Sequence, residues 1–205
     1  GIAREGIGEC VDAPGADVRP FVNDRRGEPQ GGWARWLPAL IVLVAVGLFV
    51  TGITRESLWR DEVDSLRFAD EIWGQLRQNS AWSDRARALL GYLTRPGWNG
   101  PLYFLALEPW LQVAGRSELA LRLPSALAGV LAVALGYALG ARLLGRSAGH
   151  CLALLLAVNP YLAWYAGEGK MYALITALAL LSTFLLLRAL AEGRWWLWLS
   201  YVLAT

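Results

Sequence analysis

From Trp36 to Ile53 the chain runs apolar without a charged residue, preceded by Arg25, Arg26 and Arg35 and flanked by Trp33 and Trp36. At a rise of about 1.5 Å per residue this run is long enough to span hydrocarbon, and it predicts a first transmembrane helix over residues 36–53. Its apolar core exceeds that of a signal peptide and no small-residue cleavage site follows, so it reads as an uncleaved anchor. The basic flank places the N-terminus in the cytoplasm. Residues 1–35, rich in Gly, Asp, Arg and Pro and without apolar periodicity, are expected to form a mobile cytoplasmic tail.

Polar character returns over residues 54–122, which predicts a long outer loop with helix-like stretches at Val63–Arg77 and Ser83–Leu93. Its Trp73, Trp82 and Trp98 suit a membrane surface. Inside this loop the apolar segment Leu102–Ala114 has only about 13 residues and carries Glu108 and Pro109. A span needs roughly 20, so this segment is expected to lie along the interface. Leu123–Leu144 then runs inward and delivers Arg142 and Arg146 to the cytoplasm. Cys151–Tyr165 returns outward, and Met171–Leu187 runs inward to Arg188 and Arg194. Trp195, Trp196 and Trp198 form an aromatic belt before the last run. Counting the short segment as a span would put all four arginines outside. The predicted fold is therefore all-α, a polytopic transmembrane bundle with residues 123–205 supplying the later spans.

Composition agrees with that class: 56% of residues are apolar and 11 are Trp, too oily for an ordinary soluble domain. The net charge of +2 comes with arginines scattered at span ends, which argues against nucleic acid as a partner. Cys10 and Cys151 differ in setting and lack metal-ligand spacing, so neither a disulfide nor a zinc site is expected. His150, beside Arg146 at a span end, reads as an interface marker. Gly136 and Gly140 form a GxxxG spacing that predicts close helix packing. The chain opens on Gly1 and stops at Thr205 within an apolar run, and it reads as a piece of a longer protein.

Three polar signatures interrupt the apolar runs: NGPLYF, ALRLPSALAG and NPYLAWYAGEGKMYAL. Under the predicted topology Asp61, Glu62, Asn99, Arg122, Glu168 and Lys170 all reach the outer face. Each has an ordinary reading by itself. Asp61 and Glu62 suit a solvated loop, Arg122 a snorkelling anchor, and Glu168 with Lys170 a polar hairpin. Their convergence on one face makes a shared site geometrically possible, and charge held at the ends of apolar spans usually has a functional reason.

The order of these segments, from NGPLYFLALEPW through ALRLPSALAG to NPYLAWYAGEGKMYAL, resembles the N-terminal module of GT-C membrane glycosyltransferases. The resemblance is to the family 39 and aminoarabinose-transferase-like group that includes protein O-mannosyltransferases, and it covers about Leu58–Leu190. It implies transfer of a sugar from a polyprenyl-phosphate carrier to an acceptor at the outer face. In that group an acidic pair follows the first transmembrane helix, and WRDEVDS places it at Asp61 and Glu62, which the resemblance makes the catalytic acids, with Asp61 as general base. Inversion at the sugar is expected. The developing charge of a lipid-phosphate leaving group needs fixed cations, a role the resemblance gives to Arg122 and Lys170. Glu168, Tyr172, Asn99 and Tyr103 of the PLYF run are supporting positions. Where the group carries His or Lys with a Pro before PLY, this chain departs with Asn99, Gly100 and Pro101.

A divalent ion is an open question: Glu62 and Glu168 are the candidate ligands, and an oxygen-only site favours magnesium or manganese over zinc. Expected partners are membrane lipid, the polyprenyl-phosphate-linked sugar and a lipid, glycan or protein acceptor. The resemblance is to bacterial forms, which implies an inner membrane with the site facing outward. The alternatives are a transporter or lipid flippase, in which Arg122, Glu168 and Lys170 line a substrate path, and a noncatalytic membrane scaffold. Transport sites tend to lie near the bilayer midplane, whereas these charges sit at span ends.

Overall fold

The computed structural model describes residues 35–53, 60–94 and 101–205 together with Gly32; the tail expected over residues 1–35, apart from Gly32 and Arg35, lies outside the described residues, as do Trp98 and Asn99. The described residues are all-helical, in nine helices and two layers. One layer is a bundle of α1 (Leu37–Ile53), α5 (Glu118–Leu144), α6 (Arg146–Ala157), α7 (Pro160–Ala166) and α8 (Tyr172–Glu192), with α9 (Trp195–Ala204) against α8. The other layer is α2 (Arg60–Gln78), α3 (Trp82–Leu93) and α4 (Pro101–Ala114), packed on one another and on the start of α5.

Among the described residues, α5 and α8 are long and apolar enough to cross a membrane, and α1 is a shorter apolar helix of 17 residues. α1 is apolar on every side, yet only Ile41, Ala45, Phe49 and Ile53 are buried. Their spacing of four puts them on one face, which packs against α5. Leu40, Leu43 and Leu48 are left exposed on the others, as suits a helix in lipid. The GxxxG expectation holds: a Cβ on Gly140 would sit 3.0 Å from the Gly149 backbone, and one on Gly149 would sit 2.8 Å from the Tyr137 carbonyl oxygen. Those glycines let α5 and α6 approach closely.

α2 is amphipathic. Glu62, Ser65, Ala69 and Ile72 form its buried stripe, and Phe104, Leu107 and Leu111 of α4 close over part of it. The 14-residue α4 is tied into this layer by charge as well as by apolar packing. Its buried Glu108 meets Arg77 at 3.3 Å and Arg116 at 2.8 Å, and Arg116 reaches on to Asp70 at 2.7 Å.

Two prolines lie inside helices, and each is answered by a tryptophan. Pro109 has no N–H to give the Leu105 carbonyl four residues earlier, and the Trp73 indole donates to that oxygen at 3.2 Å. Pro124 likewise frees the Ala120 carbonyl, and Trp110 donates to it at 2.7 Å. Trp73, expected at a membrane surface, thus serves an internal bond between α2 and α4.

Two boundaries differ from expectation. α5 starts at Glu118, capped by the Ser117 hydroxyl, instead of at Leu123, because Pro124 is absorbed within the helix by Trp110. Arg122 therefore lies inside a helix. The run Cys151–Tyr165 is two helices, since Asn159 caps a new start with Pro160 in its first turn.

Candidate functional site

The two layers meet where α1 ends, α2 begins and the turn between α7 and α8 crosses the top of α5. Arg122, one turn into α5 and 2% exposed, points into this junction. It donates from Nε to Glu62 Oε1 at 2.8 Å, from Nη2 to Glu62 Oε2 at 2.7 Å, and from Nη1 to the carbonyl of Ile53 at 2.6 Å. Glu62, 1% exposed, also accepts the Gly169 N–H at 2.8 Å. One buried ion pair thus joins the end of α1, the first turn of α2, α5 and the α7–α8 turn. Gly169 is needed there, because a Cβ would sit 2.6 Å from Leu121 Cγ.

The turn is fastened at a second point. Ser125, one helical turn after Leu121, donates its hydroxyl to the Lys170 carbonyl at 2.7 Å and meets the Tyr103 hydroxyl at 3.3 Å. Burial raises that tyrosine hydroxyl to about 12, against the opposing bond from Ser125, so it remains protonated. The Lys170 side chain is 4% exposed, and its ammonium has no hydrogen-bond partner among the described residues.

Beside the junction lies a cavity of about 600 Å³ between α1, α5 and α7, with Thr51, Glu62, Arg122, Trp164 and Glu168 on its wall. Trp164 donates its indole N–H to Glu168 Oε1 at 2.6 Å. Burial pushes the Glu168 carboxyl above its ordinary value; the Trp164 bond opposes this, the charges of Glu62 and Asp61 push it further, and Lys170 opposes.

The structure thus brings Glu62, Arg122 and Glu168 to one cavity, with Lys170 in the same turn. Asp61 is exposed in the first turn of α2, its carboxylate has no hydrogen bond among the described residues, and its charge is felt at Glu168. Tyr103 faces a separate apolar groove of about 270 Å³ bounded by Trp110, Pro124 and Leu174. Tyr172 packs against Tyr165, ring centroids 4.8 Å apart. Asn99 lies outside the described residues.

A divalent ion does not fit Glu62 and Glu168 as they stand. Glu62 gives both oxygens to Arg122 and one of them also to Gly169, and among the described residues no three His, Cys, Asp or Glu side chains gather to hold a metal. The expectations missed Trp164, Ser125 and Gly169. Trp164 and Glu168 stand four apart in WYAGE, one helical turn, which was the available signal.

Neither a curated protein nor a solved structure matches the chain. The sequence model of one family, described as dolichyl-phosphate-mannose-protein mannosyltransferase, matches residues 96–205. That stretch is more than half of the chain and contains α4 to α9, including Arg122 and the Glu168–Lys170 turn. With its long apolar helices, the chain is a membrane protein of this mannosyltransferase-like group. It belongs to the dolichyl-phosphate-mannose-protein mannosyltransferase family.

Proposed function

We propose that the protein transfers a sugar from a polyprenyl-phosphate carrier to an acceptor hydroxyl, with inversion and with Asp61 as general base. The observation that carries this reading is the contrast between the two acids at the start of α2. Glu62 is buried and fully engaged, whereas Asp61, one residue away, presents an exposed carboxylate with no hydrogen bond among the described residues. The Glu62–Arg122 pair then positions Asp61, in place of the catalytic and phosphate-binding roles first expected of its two members.

In the proposed reaction the acceptor oxygen forms a bond to the anomeric carbon as the bond from that carbon to the carrier phosphate breaks. The acceptor proton passes to Asp61, and the electron pair stays on the departing phosphate. Lys170 is the cation left to meet that charge, since its ammonium is unpaired among the described residues while the Arg122 fork is turned to Glu62 and Ile53. The carrier's isoprenoid tail stays in lipid beside the exposed apolar faces of the bundle.

The outer face of a bacterial inner membrane is the proposed setting. Arg142 and Arg146 lie at the end of α5 remote from Arg122, and Arg188 and Arg194 at the far end of α8, which the positive-inside rule assigns to the cytoplasm. The test is the anomeric configuration of the product, read by NMR after incubating the intact protein with polyprenyl-phosphate mannose and a panel of hydroxyl acceptors. Inversion is expected. Retention, or transfer from a nucleotide sugar instead, would contradict the reading.

A further inference from the structure

We propose that Trp164 and Glu168 form the subsite that holds the sugar ring of the donor, an inference that rests on the glycosyl-transfer reading above and names where its sugar sits. A pyranose presents two chemistries at once, a C–H face that behaves as apolar surface and an edge of hydroxyls. A site for it needs a flat apolar platform beside a fixed polar group. The cavity wall has one such pairing.

Trp164 is 50% exposed and lines the cavity with Glu168. Its orientation is set: the indole N–H is bound to Glu168 Oε1 at 2.6 Å, which fixes the plane of the ring against the carboxylate. The second oxygen of Glu168 has no hydrogen-bond partner among the described residues and is available to sugar hydroxyls. The carboxyl itself is half-buried at the cavity wall.

Local structure serves the same pairing. Asn159 and Pro160 start the short helix α7 afresh, and Gly167 ends it, so that Trp164 and Glu168 stand one turn apart at its close. An aromatic belt residue is the ordinary reading of a tryptophan near a helix end, but such a residue turns its N–H to water or headgroups. Here the N–H is spent on a cavity carboxylate. Around this pair the wall is mainly apolar, with Pro160, Ala163 and Leu48, and the volume of about 600 Å³ falls among sites that enclose small ligands.

The experiment compares binding of polyprenyl-phosphate mannose and of bare polyprenyl phosphate to the intact protein in nanodiscs. For Trp164→Ala the ratio of the two affinities is expected to fall about tenfold, and for Trp164→Phe by less, since a smaller platform remains. Glu168→Ala is expected to lower the same ratio, with Glu168→Gln closer to wild type. An unchanged ratio in Trp164→Ala overturns the subsite while leaving the donor reading intact. Wild-type protein that binds neither lipid overturns the donor reading and the subsite with it.

Discussion

Asp61 and Glu62 are adjacent acids with opposite circumstances, and the difference comes from helix geometry. Successive residues on a helix point about 100° apart, so when Glu62 turns into the junction Asp61 must turn out. The buried acid is tolerable because Arg122 and the Gly169 N–H satisfy it. Removing one partner leaves an uncompensated buried charge, so Arg122→Ala is expected to cost about 3–5 kcal/mol of stability, read as a large drop in unfolding temperature. Arg122→Lys should recover little, because one ammonium cannot span two carboxylate oxygens and the Ile53 carbonyl. Asp61→Asn, on an exposed position, should stay within about 0.5 kcal/mol of wild type. Equal losses at Arg122 and Asp61 would contradict the division of roles.

At the scale of elements, the two proline–tryptophan pairs let α4 and α5 continue through residues that ordinarily break helices. A buried carbonyl left without a donor costs about 1–3 kcal/mol, and this is the expected effect of Trp110→Phe. In a Pro124→Ala background the helix supplies its own N–H to Ala120, so the same substitution should cost less. A double-mutant cycle on unfolding temperature reads the difference, and equal cost in both backgrounds would contradict the pairing.

This device also marks how far the chain could be read. Charge, span length and the Gly136–Gly140 spacing are local signals, and they pointed to apolar helices, to a short Leu102–Ala114 and to close packing of α5. The start of α5 was not legible, because whether Pro124 ends a helix depends on Trp110, which meets Ala120 only in the folded state. Arg122 was legible as a functional-looking charge, but its partner lies 60 residues away in sequence, and no local pattern announces that Glu62 holds it.

For the whole molecule the account rests on one arrangement. In the proposed topology the α2–α4 layer and the α7–α8 turn lie on one side of the bilayer, and the α5–α6 turn on the other. Single cysteines at Arg67, whose side chain is 76% exposed, and Val113, 87% exposed, should react with a membrane-impermeant reagent from outside. One at the exposed Ser147 should react only from the cytoplasm, in a background with Cys10 and Cys151 replaced by Ser. Labelling of Ser147 from the outside would mean that α4 crosses, which would separate Asp61 from the Glu168–Lys170 turn. The most direct test of the central claim is the rate of sugar transfer from polyprenyl-phosphate mannose by the intact protein carrying Asp61→Asn. The account predicts a loss of about 10²–10⁴-fold with unfolding temperature unchanged; a transfer rate equal to wild type would contradict it.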